Sequence, residues 1–360
     1  MRFTNTLSLT FVLGALVVAC QKEQAPSAEP AGSIEKPSTI DPALAKAVAA
    51  ASVDMGNRKG PAPAASGGPP PGGVFAPGAA DREIKQGDAP KLTLGGQGSE
   101  PRVQLGPMQP KPGWKTSGSV QVTMQGDARQ QPLPIELLVA IEAQKPKGGE
   151  GAGGVGAAPA PVLMVAKVNS ARIGMTGVPP EISGRVEKLK GAKIEYQVLP
   201  DGSGTGYRSE VPAGAEDMRD QLRVLQDMLA LVTLPVPPQP LGEGGFWMAT
   251  SREGVFGLDL VTYRLVKVEK VTPGSVTLSV GTKRYATSAV FAFEGLPPDA
   301  PRDLAEFDSK SDGRIELKVG AAFPDSGEIQ SMLVAALAQG GQQRGVLQVQ
   351  SRAGFDFTKR

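Results

Sequence analysis

From residue 117 onward the chain repeats one pattern. Short runs of alternating apolar and polar residues are bounded by glycine, proline or aspartate. Val120, Val122 and Met124 set the period, residues 135–141 are nearly continuously apolar, and 162–173 and 193–198 alternate again. The texture returns at 246–248, 258–268, 275–285, 314–319, 329–337 and 345–349. A period of two places apolar side chains on one face of an extended chain, so these runs predict strands with one buried face. Turn chemistry lies between them, at Asp201-Gly202-Ser203-Gly204, Thr272-Pro273-Gly274 and Pro324-Asp325-Ser326-Gly327, each read as a hairpin loop. A Gly/Ala insertion at 148–160 reads as an extended loop between two strands.

One segment breaks the pattern. Met218, Leu222, Leu225, Leu229 and Val232 fall at helical spacing, and Val224, Met228 and Leu231 widen the apolar face. Glu216 and Asp217 lie in the first turn, where the helix dipole favours acids. Leu234-Pro235-Val236-Pro237-Pro238 terminates the helix. A helix over 215–232, apolar over half its circumference, must be covered. Long strands in a twisted antiparallel meander would cover it. The expected fold is mainly β (α+β): an open half-barrel with one amphipathic helix on its concave face.

The first third has another character. The 46 glycines and 33 prolines make 79 of 360 residues, against an average of about 12%, and they concentrate between 21 and 115. Runs such as Gly67-Gly68-Pro69-Pro70-Pro71-Gly72-Gly73 bury too little apolar surface to offset ordering entropy. The expected organisation is a signal peptide over 1–19, a disordered linker over 20–116 and a β-rich domain over 117–360. As a Gly-rich coil the linker would average about 55 Å end to end. A short helix is expected near 41–52, where Asp41 caps, Pro42 takes the first helical position and alanines follow. It reads as a fraying helix in a linker or as a docking motif.

Cys20 is the single cysteine, and it follows an apolar leader in the run Val17-Val18-Ala19-Cys20. A charged start, an apolar stretch from Leu7 to Val18 and a small-residue cleavage site make a secretory signal. With the cysteine directly after Ala19, the segment resembles a bacterial lipoprotein signal, whose lipobox commonly reads Leu-Ala/Ser-Gly/Ala-Cys. The resemblance implies cleavage between Ala19 and Cys20 and acylation of Cys20, hence a membrane partner engaged through lipid. The alternative is a plain signal peptide with a chance cysteine. Gln21, rather than Asp, follows Cys20. By the enteric sorting rule the resemblance implies the periplasmic face of the outer membrane.

Removing residues 1–19 takes away only Arg2 among the charges, leaving 37 basic against 36 acidic residues. That balance gives no electrostatic reason to expect a nucleic-acid partner. Histidine is absent, which removes the commonest general base and the commonest metal ligand. With Cys20 given to lipid there is no thiol nucleophile and no Cys/His zinc site. No metal and no cofactor are expected. Asp259 and Glu195 lie in expected strands without a spacing that would pair them for acid–base work. Gly202-Ser203-Gly204-Thr205-Gly206 lacks a phosphate loop's Lys-Ser/Thr ending and reads as a β-turn. Glu306 to Gly313 has Lys310 at a calcium-ligand position and reads as a solvated turn.

A second resemblance rests on Leu189-Lys190-Gly191-Ala192-Lys193-Ile194-Glu195-Tyr196, running into the turn at 201–206, and on Leu241-Gly242-Glu243-Gly244-Gly245-Phe246-Trp247 leading into a long strand. In this layout the body resembles the half-barrels of LolA-like periplasmic carriers and LppX-like lipoproteins. It is also similar to lipoprotein families with a Leu-Pro, Pro, Gly-x-Gly and Trp sequence at that point. The resemblance implies a cavity for a hydrophobic ligand, a lipid or a lipidated protein. Met218, Leu222, Leu225, Met228, Leu229 and Trp247 are the candidate ligand face, and a packed helix–sheet core would use the same residues. The expected function is a lipid-anchored, non-catalytic envelope protein binding a hydrophobic ligand between sheet and helix. The alternative is a structural or adaptor lipoprotein that docks onto an envelope complex.

Overall fold

A computed structural model describes residues 70–356, apart from 109, 126–132, 145–159, 291–302, 322 and 340–341. The expected signal peptide, the helix near 41–52 and most of the loop at 148–160 lie outside the described residues.

Twelve strands form one antiparallel sheet. Strand β1 is Lys91–Gly96, β2 Lys115–Gln125, β3 Leu133–Gln144, β4 Val162–Ile173, β5 Lys193–Val198 and β6 Gly204–Glu210. The second series is β7 Phe246–Val255, β8 Leu258–Thr272, β9 Ser275–Ala286, β10 Asp303–Lys318, β11 Ser326–Gln339 and β12 Gln342–Asp356. Among the described residues three α-helices accompany them: α1 Ala80–Glu83, α2 Pro180–Glu187 and α3 Arg219–Val232, the last extended at its start by a 3-10 turn, Glu216–Met218. The strand order is β1-β7-β8-β9-β10-β11-β12-β2-β3-β4-β5-β6.

That order explains the helix. Strands β7 to β12 form one meander and β2 to β6 another, joined where β12 pairs with β2. The chain therefore leaves the sheet at one end, β6, and re-enters next to the other, at β7. The connection between them carries α3, so the helix has to cross the sheet's open side. Laid flat, twelve strands would span roughly 50 Å at about 4.8 Å each. Yet α3 touches β2, β6, β11 and β12, and its residues bond to side chains on β8 and β9. A helix about 10 Å wide reaches all of these only if the sheet curls around it. The sheet stays open, because β1 and β6 end the order without pairing with each other. The half-barrel with one helix inside is the expected fold.

Alternation does the local work. In β9, Val276, Leu278, Val280, Thr282, Arg284 and Ala286 are buried at every second position. In β3 the same holds for Ile135, Leu137, Val139, Ile141 and Ala143. The apolar ones among these join Leu222, Leu225, Leu229 and Trp247 in one core. The 201–204 hairpin joins β5 to β6, and Pro273-Gly274 closes the turn between β8 and β9, where Thr272 faces Ser275.

Three readings need correction. The first is the domain boundary. Residues 70–116 belong to the fold rather than to the expected linker. Strand β1 pairs with β7, and Ile84, Leu105 and Met108 are fully buried. Arg252 on β7 donates to the carbonyl of Ile84 at 3.1 Å and bonds Asp81, while Phe75 packs edge-on against Tyr285. Glycine and proline here form tight connections between buried side chains spaced too widely to show periodicity. The second is 306–313, which lies within β10 rather than in a solvated turn. Its inward positions, Ser309 and Ser311, are polar and buried, so the usual alternation was hidden. The third is 204–206, which opens strand β6 rather than completing a turn.

The corrected boundary predicts that fragment 117–360 is less stable than fragment 70–360 by more than about 4 kcal/mol. Three buried side chains are lost, at about 1.5 kcal/mol or more each. Urea unfolding followed by tryptophan fluorescence would measure the difference.

Candidate functional site

The six residues expected to face a ligand are brought together, but into packed core. Leu222, Leu225, Met228, Leu229 and Trp247 are fully buried and Met218 nearly so. Trp247 Nε1 donates to the carbonyl of Pro235 at 2.8 Å, which fixes the chain leaving the helix to the start of β7. Met228 Sδ accepts from the Ser351 hydroxyl on β12 at 2.9 Å. Ala19 and Cys20 lie outside the described residues.

The opposite face of α3 lines a cleft of about 870 Å3. Its other walls are β6 from Gly204 to Ser209, the end of β7 with the Phe256–Gly257 turn, and residues 87–90 preceding β1. The cleft thus lies at the open side of the sheet, with strand β6 along one flank. None of the six residues above lines it. Its arginines are Arg219, Arg223, Arg252 and Arg264, and its acids are Asp88, Glu216, Asp227 and Glu253.

The floor of the cleft is a buried ionic network. Arg284 on β9 donates to both carboxylate oxygens of Asp227 on α3, at 3.0 and 2.6 Å, and lies 3.6 Å from Glu253 on β7. Arg284 is 1% exposed and Asp227 5%, so this pair is desolvated. Arg264 on β8 donates to Glu253 and to the carbonyl of Ala230, each at 3.3 Å. Glu253 also accepts from the hydroxyls of Ser251 at 2.7 Å and Thr262 at 3.1 Å. Burial alone would raise the Glu253 carboxyl. Arg264 and Arg284, helped by the two hydroxyls, outweigh it and hold the group below the usual carboxylate range. Burial pulls the Arg284 guanidinium down, and Asp227 and Glu253 more than reverse that.

Around this network the inner face of the sheet is polar. Reading across the pairings, Arg264 faces Thr282, Thr282 faces Ser311, Ser311 faces Ser331 and Ser331 faces Ser351. In the adjacent row Thr262 faces Arg284, and Arg284 faces Ser309. All are buried. Small side chains here let α3 approach β11 and β12. The band also leaves the Nε atoms of Arg264 and Arg284, Thr282 Oγ1 and Ser309 Oγ without partners among the described residues. Buried polar atoms left unpaired cost free energy, and of these four groups only Arg264 lines the cleft.

Tyr207 on β6 stacks on Tyr196 at 5.0 Å, and its hydroxyl fills the space where a side chain at 204 would begin. A Cβ on Gly204 would lie 2.1 Å from that oxygen. Asp259, considered above for acid–base work, instead accepts from Nε and Nη2 of Arg252, at 2.8 and 2.6 Å, which keeps its carboxyl low. Among the described residues no group of three or more acids could hold a metal ion, and no helix is long and apolar enough to cross a membrane.

The network was absent from the sequence reading, yet it left a signal. Arg264 shares parity with Leu260, Val266 and Val268, and Arg284 with Val276, Leu278 and Val280. Asp227 borders the apolar face formed by Val224, Met228 and Leu231. Two arginines at inward strand positions and one acid on an inward helix face form a matched set.

Two predictions follow from these contacts. Replacing Asp227 by Ala leaves Arg284 buried beside a single acid and should destabilise the protein by about 3–5 kcal/mol in chemical denaturation. Glu253 contributes stability that is present above its unfolded pKa of about 4.3 and lost as pH falls through its lower folded value. The stability difference between wild type and Glu253→Gln should therefore be constant from pH 7 to about 5 and shrink below about 4. No family model matches the chain, and no curated protein matches it.

Proposed function

We propose that this chain is a lipid-anchored, non-catalytic protein of the cell envelope that binds its ligand between helix α3 and the open side of the sheet. The observation that carries the binding reading is the cleft itself. It is a concavity within the size range of ligand sites, with convergent polar groups held by a rigid network. The anchor rests on the Val17-Val18-Ala19-Cys20 signal, and the expected location remains the periplasmic face of the outer membrane.

Charged lining on the cleft supports a polar ligand in place of the hydrophobic one expected from sequence. The apolar side of α3 is spent on core packing, with Leu222 and Leu225 fully buried. A non-catalytic role is supported by the state of the acids. Glu253 is ionised and saturated by arginines and hydroxyls, so it is a weak proton acceptor. The Ser251 hydroxyl donates to that carboxylate, with no imidazole anywhere in the chain to activate it. The filled core favours one second reading, an adaptor that docks without a ligand.

Growth with labelled palmitate should label the wild type and leave Cys20→Ser unlabelled; label on the variant would remove the anchor. Native mass spectrometry of Cys20→Ser after mild extraction should show a bound polar molecule, lost when Arg264→Met is added. A bound acyl lipid would restore the hydrophobic-ligand reading, and bare protein in every preparation would favour the adaptor.

A further inference from the structure

We infer that the cleft takes an extended peptide, added as a strand to the free edge of β6. This rests on the binding role proposed above and names its ligand class.

Strand β6 pairs with β5 on one side, and among the described residues no strand pairs with its other edge. An unpaired strand edge presents alternating N–H and C=O groups and is a template for another chain, and proteins that do not use such an edge cover or blunt it. Here it opens onto the cleft. Gly204, Thr205, Gly206, Tyr207 and Ser209 all line it, so the cleft runs along the strand rather than meeting it end-on. The seven residues of β6 extend about 23 Å. The opposing wall is a single helical face, from Glu216 through Arg219, Arg223 and Gln226 to Ala230, and it extends about 21 Å. Two walls of equal length, one a strand edge and one a row of long polar side chains, suit a segment of six or seven residues.

Charge narrows the ligand further. Four arginines balance four carboxylates along the lining, so nothing on it selects a polyanion such as a phosphate chain. A peptide main chain is neutral and carries donors and acceptors at the spacing the strand edge offers. Strand addition supplies affinity through the backbone, while pockets beside the strand read alternate side chains. Arg264, 2% exposed with its Nε unpartnered among the described residues, lies on the floor to meet a polar side chain. A bulge opposite Tyr196, where the register shifts between Glu195 and Gln197, divides the edge. Main-chain pairing should therefore fall on either side of Gly206-Tyr207.

The test uses the full chain as Cys20→Ser, panned against a phage-displayed random heptapeptide library. Enriched sequences are synthesised with capped ends, and amide hydrogen exchange is followed across residues 204–210. Strand addition predicts at least tenfold slower exchange at β6 amides with peptide bound, and a more than tenfold loss of affinity when alternate peptide nitrogens are methylated. Peptides that bind with unchanged β6 exchange, or that tolerate methylation, would overturn the proposal, as would a library that yields no enriched sequence. If the native protein still carries a bound non-peptide molecule that depends on Arg264, the peptide assignment fails and the binding role stands. If it carries none, both fail.

Discussion

One buried contact ties the two halves of this molecule together: the fork of Arg284 around Asp227. Arg284 comes from a strand in the second meander, and Asp227 from the helix that follows the first. Their union fixes where the helix lies inside the sheet. An ion pair this deep is an expensive way to hold two elements, because both charges leave water and a hydrophobic pair of similar shape could be as stable. What the pair adds is position. An apolar helix face can slide or rotate against an apolar sheet at little cost, whereas a two-pronged bond between planar groups permits one register. The polar rows of Thr262, Thr282, Ser309 and Ser311 then follow as surroundings suited to a charge.

Position matters because of the topology. The sheet begins and ends at strands that do not meet, and the chain passes from one end to the other through α3. The helix consequently has two environments. Leu222, Leu225 and Leu229 fill the space behind it, while Arg219, Arg223 and Gln226 look onto the gap between the sheet's ends. A cleft with one rigid wall of helix, one free strand edge and a charged floor is the product of that arrangement. The same contacts that close the core leave the opening in place.

Much of this was legible in the amino-acid sequence. Strands β4 and β5 were bounded to the residue, because alternation and flanking turns coincide there. The helix was clear, because its leucines recur at three and four residues and prolines stop it. The class of fold followed from one helix amid many strands. Legibility failed where side chains of the wrong polarity face inward, as in β10. It failed again where buried residues are isolated by glycine and proline, as at Ile84 and Leu105. The expected ligand face is a real cluster of residues, and the fold packs it into the core, the other use that the same spacing allows. Packing and ligand binding demand the same apolar spacing, and only the fold separates them. The charged floor was missed because Asp227, Glu253, Arg264 and Arg284 become one site only when the sheet curls. Arg264 and Arg284 carry the parity of inward residues, but nothing in the sequence says which acids they meet.

The charge pair, rather than apolar contact alone, sets the helix in the mouth of the sheet. A double-mutant cycle measures this most directly, using Asp227→Asn, Arg284→Met and the combined variant in urea unfolding. Groups in one network couple by about 0.5–3 kcal/mol, and a two-pronged buried pair should lie near the top of that range, at about 2 kcal/mol or more. A coupling within about 0.5 kcal/mol of zero would mean that the two residues stabilise the fold independently. The helix would then owe its place to its leucines alone.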